Sequence, residues 1–520
     1  MKKFLSVLLA SVMSLSLLAG CGGNDNSASS AESAAPAEAH TEESAAGDVD
    51  FEGTEIKMML IKDGSREGWD DIEAEINRIS SEAIGVTIDV EWVEFANWIQ
   101  QISLRMASQD EMDIIALTPL MTFNSLQTTN QIMDITDYLE EYGQDILEID
   151  AGYLPATTVN GRIYGIPNYF PKGASGFIEM RTDTLEELGL MEKAQNMKSW
   201  SDFEEILTAV RDNTNLAPLY TLGQSLYGIT IPQQYDLSSE SFAEARPLDN
   251  PGDPYGLLNI DPETDTVYCY YLTDIFRKDC ERAADFYQKG LMFKDGESNM
   301  EGAQTYFKDG TIFSVFNTTE TLGAEDMIEA QAGGTDLTMI TLFDVPIKRS
   351  TAGMWGMAIS NTCANPEAAI AFLNLAYTNA DIMNYFTWGI EGRDYVVNAN
   401  GSAQRSEAPL YESEYFFYPN GTIAYSSRTS IDNYYELAEE ALASQVYSKY
   451  LGFECDAEPL TNELTACNNT KMEYVPGLIC GSSTDWESRL EAFQKKLADN
   501  GIEEIIAYYQ EQVDVWLAAQ

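Results

Sequence analysis

Hydrophobic positions along this chain fall into three regimes. Phe4 to Ala19 is an apolar run behind Met1-Lys2-Lys3. Gly22 to Asp50 is mostly Ser, Ala, Glu, Asp and Asn, with one Pro, no aromatic and no Lys or Arg. From Phe51 onward the pattern becomes periodic. Thr54 to Lys62 is a short apolar run that predicts a buried strand, and Asp63-Gly64-Ser65 makes a turn. Trp69 to Ile84 carries Ile72, Ile76, Ile79 and Ile84 at helical spacing, and Gly85 ends that helix. Val86 to Val93 alternates as a second strand. Phe95 to Ala107 predicts a second helix with Trp98, Ile102 and Met106 on one face. Met112 to Leu117 is a third strand, closed by Thr118-Pro119. Strands alternating with helices predict a largely parallel sheet. Ligands of such sheets sit beyond the carboxyl ends of the strands, so the loops after Lys62 and Leu117 become candidate ligand-facing positions.

The pattern continues with Ile132 to Thr136, a helix over Asp137 to Tyr142 and an Asn160-Gly161 turn. Arg162 to Pro167 reads as a strand ended by proline. Phe177 to Asp183 precedes a helix finishing at Leu188-Gly189-Leu190. Ser201, with Glu204 three residues on, predicts a capping box at the next helix.

The N-terminal run is about 16 residues, shorter than the roughly 20 that span a bilayer core, so it reads as a removed export signal. Its end, Leu18-Ala19-Gly20-Cys21, resembles the lipobox of bacterial lipoproteins. The resemblance implies a diacylated Cys21 as the new N-terminus, anchored to the outer face of the cytoplasmic membrane. Residues 22–50 bury too little apolar surface to fold and read as a disordered acidic tether.

Composition then narrows the chemistry. With 30 basic and 84 acidic residues the net charge is -54. That disfavours nucleic acid, whose binding depends on Lys and Arg. The single histidine, His40, lies in the tether. The folded part therefore has no imidazole for a Ser-His or Cys-His nucleophile or a histidine metal site. Apart from Cys21 the cysteines are Cys269, Cys280, Cys363, Cys455, Cys467 and Cys480, in no zinc spacing. Export permits disulfides, with Cys455 to Cys467 or Cys480 the local possibility. Asp261 to Asp265 looks briefly like a calcium loop, but Thr266 and Leu272 stand where glycine and a carboxylate belong; it reads as a turn. No phosphate loop, metal or cofactor is expected.

An ordered set of motifs adds a resemblance. Met112-Asp113-Ile114-Ile115, Tyr164-Gly165-Ile166-Pro167, the helix Arg181-x-Asp183-x-Leu185-x-x-Leu188-Gly189-Leu190 and Trp200-x-x-Phe203 follow one another. Gly353 to Ser360 and Asn365 to Leu373 come downstream. The set resembles the extracellular solute-binding proteins of bacterial ABC sugar importers, the maltose-binding-protein-like class. Trp388 to Val396 and Tyr474 to Leu478, before a terminal amphipathic helix pair, are similar to the LplA-type lipoproteins of Firmicutes.

The resemblance implies a two-lobed α/β fold, periplasmic-binding-protein-like type II, with a ligand cleft between the lobes. Crossovers near Gly165, Leu337 and Tyr385 would put 51–165 and 338–385 in lobe one, and 166–337 and 386–520 in lobe two. Glu281 to Leu291 would be a lobe-two helix and Thr311 to Phe316 a lobe-two strand. The implied function is a monomeric, non-enzymatic receptor that passes a carbohydrate to ABC permease subunits. Sugar recognition needs aromatic faces and a few planar polar groups. Trp355, Trp388 with Glu391, Tyr169 and Phe170 are the candidates at strand starts and crossovers; Asp63, Thr118 and Asn317 are candidates at loops and strand ends. Trp98, Trp200, Trp486 and Trp516 read as packing residues. A peptide receptor of similar design, a carboxylate-pair glycosidase and an adhesive lipoprotein are the alternatives.

Overall fold

The computed structural model describes residues 51–520 except 120, 122, 224–234, 300, 321, 323–327, 330 and 430. The export signal, Cys21 and the tether lie outside the described residues. Nine strands build two main sheets: β1 Thr54–Lys62, β2 Val86–Glu94, β3 Ile114–Leu117, β4 Ile166–Pro167, β5 Ala174–Arg181, β6 Ala217–Tyr220, β7 Ile312–Glu320, β8 Leu337–Val345 and β9 Gly356–Ile359. The first sheet has the order β2-β1-β3-β9-β4 and the second β8-β5-β7-β6.

Sequence pattern and observed strands agree closely over the first hundred described residues. Met58, Met59, Leu60 and Ile61 are all buried, so β1 is covered on both faces, as an unbroken apolar run requires. It pairs in parallel with β2 and β3. Helix α1 (Trp69–Ile84) packs Trp69, Ile72 and Ile76 inward. Gly85 then adopts φ 74° and its N–H bonds Ser81 O. A β-carbon is costly in that left-handed position, so Gly85→Ala is expected to lose about 1 kcal/mol of stability in urea denaturation. Helix α2 (Trp98–Ser108) begins after a short 3-10 turn and fully buries Trp98 and Ile102.

Several expectations are corrected. Parallel pairing in the first sheet stops at β3, since β9 runs antiparallel to both β3 and β4; in the second sheet β7 and β6 are parallel, but β5 runs antiparallel to β7 and β8. The strand expected over Arg162 to Pro167 is split at Gly165. Arg162–Ile163 closes a hairpin with Thr158–Val159, and Ile166–Pro167 joins the first sheet. The capping box lies two residues earlier than expected. Ser199 Oγ accepts from Asp202 N at 3.1 Å, while Ser201 N donates to Glu240. Burial of Trp200, whose indole N–H bonds Leu237 O, fixes that earlier start of helix α3 (Trp200–Asn213). The second-half helix is longer than expected, α4 (Asp274–Gln288), capped by Thr273. All six described cysteines are free, and Cys467 and Cys480 are packed in the core.

The crossings also differ. β8 pairs along its length with β5, from Leu337 opposite Arg181 to Val345 opposite Ala174, so the chain is still in the second sheet there. It returns over 346–355. Helix α5 (Pro366–Thr378) and helix α6 (Ala380–Trp388), which contains Tyr385, belong to the first core. The chain then stays on that side: Tyr411 and Tyr418 are buried there, and Asn420 Nδ2 donates to Tyr377 O. It leaves after helix α7 (Tyr434–Ser444). Three crossing segments thus lie side by side, with Lys172 N bonded to Gln445 Oε1 and Ile347 N to Val446 O. Helices α8 (Thr461–Ile479), α9 (Trp486–Asp499) and α10 (Ile502–Ala518) form a further core with 248–280.

Candidate functional site

The loop after β1 is held from a distance in sequence. The Arg66 guanidinium lies over Trp92 at 4.2 Å and Tyr411 at 4.8 Å. It bonds Asp63 Oδ1 at 2.6 Å, Ser413 Oγ at 3.2 Å and the carbonyl of Glu412. Ser413 Oγ in turn meets the Tyr418 hydroxyl at 2.6 Å and donates to Asp63 Oδ1 at 3.2 Å. Arg405 grips the other side, donating to the carbonyls of Thr387, Trp388 and Ser413. Residues 410–418 are therefore fastened across the carboxyl ends of the first sheet.

The fastened segment carries a short turn, Tyr415–Phe417, whose three aromatic side chains are half-buried. Phe417 meets the Trp355 ring edge-on at 4.9 Å, Phe416 lies 5.4 Å from Trp355, and Tyr415 lies edge-on to Phe170 at 5.6 Å. Tyr169 pairs its backbone with Pro419 and Gly421. Gly421 has to be glycine, because a β-carbon there would sit 2.7 Å from the Tyr415 ring. Beside this aromatic platform, Glu414 is open to solvent although protein crowds it. The crowding protein displaces water around its carboxyl and pushes it up, and the Asp63 charge adds to the rise. Burial also pushes Asp63 up, against the opposing pull of Arg66. Flat apolar rings beside carboxylates that accept hydroxyl hydrogen bonds are what a polyhydroxylated ring needs.

The eight candidates from the sequence separate clearly. Asp63, Tyr169 and Trp355 gather around 413–421, with Phe170 buried behind them against Tyr415. Thr118 is fully buried and closes a tight turn, accepting from Met121 N. Asn317 sits within β7, its amide donating to Glu179 Oε1 at 2.5 Å and its oxygen accepting from Thr318 N. Trp388 is a core residue: its indole N–H bonds Tyr425 O and Arg405 covers its ring. Glu391 is exposed on a glycine turn that bridges to Tyr395. Sequence reasoning missed Arg66 and Glu414–Phe417. The signal was present in Tyr415-Phe416-Phe417-Tyr418, an aromatic run inside a polar stretch that ends at Pro419-Asn420-Gly421.

The family described as bacterial extracellular solute-binding protein matches residues 72–383, and a domain of unknown function (DUF3502) matches residues 449–518. A carbohydrate ABC transporter substrate-binding protein of Streptococcus pneumoniae is 22% identical over 475 residues, 89% of this chain and 91% of that one. The crystal structure of the N-glycan transport solute binding protein from Streptococcus pneumoniae superposes with TM-score 0.73 at 20% identity, covering 89% of this chain and 99% of that one. An HMO-binding, ABC-transporter-associated solute binding protein from Bifidobacterium longum infantis gives TM-score 0.62 at 14% identity, over 90% and 99% of the two chains. These likenesses show a shared mixed α/β, two-sheet fold.

Proposed function

Because the chain belongs to the bacterial extracellular solute-binding protein family, we propose that it captures a mono- or oligosaccharide and delivers it to an ABC permease. The family binds solutes and does no chemistry on them. The observation that carries the carbohydrate reading is the half-buried Tyr415–Phe417 turn facing Trp355 beside the Glu414 and Asp63 carboxylates. The relatives' names support it, since proteins of this fold carry N-glycan and HMO ligands. Among the described residues no helix is long and apolar enough to cross a membrane. In our reading Cys21 carries a lipid anchor, the receptor works as a monomer, and its tail belongs with the LplA-type subgroup. The halves built on the two sheets act as lobes, and ligand shifts their population toward the closed arrangement.

Calorimetric titration against N-glycan fragments, milk oligosaccharides, fructo-oligosaccharides and peptides tests this. A saturable sugar that survives unhydrolysed is expected. Trp355→Ala and Phe417→Ala should each weaken it by about 2 kcal/mol, roughly thirtyfold. Glu391→Gln, at an exposed turn, should leave the affinity intact. Unchanged affinity in both platform variants, or tight binding of peptides alone, would sink the reading.

A further inference from the structure

The crossing segment 348–355 has two faces. Trp355 turns to the aromatic platform, whereas Lys348 to Ser350, Gly353 and Met354 line a crevice of about 320 Å³. None of Asp63, Tyr169, Phe170, Trp355 or Tyr415–Phe417 lines it. Its walls come from both halves: Phe123 and Asn124 follow β3, while Asn250, Tyr450 and Phe453 belong to the side of the further core. The volume lies at the lower end of the roughly 300–1,000 Å³ typical of small-molecule sites.

We propose that this crevice is a second binding site, separate from the platform, for a small neutral polyol about the size of one sugar ring. Neutrality follows from the charges around it. Arg349 pairs with Glu454 at 2.9 Å and donates to Gly452 O. Lys348 donates to Leu248 O at 2.8 Å, with the Asp249 charge nearby. The Arg349 charge has its carboxylate and the Lys348 ammonium is spent on a carbonyl with Asp249 close by, so an ionic occupant gains little against its own desolvation.

Hydrogen-bonding capacity, by contrast, is left over. The exposed Ser350 hydroxyl and the half-exposed amide nitrogens of Asn124 and Asn250 make no hydrogen bond within the described protein and are open to a ligand, and Arg349 Nε is buried without an acceptor. Native proteins satisfy a buried group such as Arg349 Nε or place water or ligand against it. Hydroxyls of a polyol match all three side chains, and Phe123, Met354 and Phe453 offer apolar surface to its C–H edges. The site stands independently of the transport reading, because no platform residue contributes to it.

The test is isothermal titration of the full exported chain with myo-inositol and glucose as neutral probes, gluconate as anion and glucosamine as cation. Wild type, Trp355→Ala, Asn124→Leu and Ser350→Trp are compared, each checked for folding by thermal melt. A neutral probe is expected to bind wild type and Trp355→Ala alike and to weaken about tenfold in Asn124→Leu and in Ser350→Trp. If Ser350→Trp fails to fold, the near-isosteric Asn124→Leu decides. Loss of that binding in Trp355→Ala would assign it to the platform and overturn the proposal. Preference for gluconate or glucosamine, full affinity in Asn124→Leu, or no binding of any probe to wild type would overturn it as well.

Discussion

Replacing Arg66 by methionine is expected to lower the unfolding free energy by about 3 kcal/mol and to weaken sugar binding with it. The Arg66 side chain is 6% exposed and its partner Asp63 20% exposed, so the pair is mostly withdrawn from water. Removing the cation leaves the Asp63 carboxylate, already pushed up by burial, without its main counter-charge. The same change deletes bonds to Ser413 Oγ and the Glu412 carbonyl and takes a cation from between Trp92 and Tyr411. Water can still reach Asp63, which holds the expected cost at the lower end for a broken buried pair. Methionine keeps an apolar stem in the slot, so the loss is not one of volume. Because residues 410–418 carry Glu414 and the aromatic turn, their loosening should appear as a weaker Kd even where the protein is fully folded. Urea denaturation and titration on the same variant separate the two effects. A stability loss below about 1 kcal/mol would mean that Tyr411 and Tyr418 alone hold the segment.

That segment also marks where sequence reading stopped. β1, α1, β2 and α2 were legible because each is a local element whose apolar spacing alone decides it: Ile72 with Ile76 on one helix face, Val86, Ile88 and Val90 alternating on a strand. The ending at Gly85 was legible for the same local reason. What failed were pairings set by distant residues. Nothing within Leu337–Val345 says that it will be zipped onto β5 instead of returning to the first sheet. Trp388 and Trp355 look alike in sequence, each a tryptophan beside glycine. Only the fold shows that Tyr425 and Arg405 enclose one, whereas the other faces Phe416 and Phe417. Strand ends and crossovers pointed to Asp63, Tyr169, Phe170 and Trp355, which the fold brings to one place. Their partner turn enters the same place from residues 415–417, so no local pattern could join them.

Asn317 leads to a pH prediction of similar size. It was a ligand candidate, but its amide supports Glu179, which is fully buried in mid-sheet opposite Val315 and Met339. Burial raises the Glu179 carboxyl from 4.5 to about 7, with the Asn317 hydrogen bond opposing the rise. The folded chain therefore holds this proton more tightly than the unfolded chain. Below pH 4.5 both states are protonated and the group costs nothing. Stability is lost as pH climbs from 4.5 to about 7, and the cost is constant above that. The rise converts to about 3 kcal/mol. Glu179→Gln keeps an oxygen for Asn317 but sets an amide where Oε2 has no partner, a penalty that does not vary with pH. The difference in unfolding free energy between variant and wild type should thus move by about 3 kcal/mol in favour of glutamine between about pH 4 and about pH 8. Urea denaturation at those two pH values measures it. A difference that stays flat would place the Glu179 carboxylate in contact with a charge or with water, and would free Asn317 to act as the ligand contact that its position in sequence suggested.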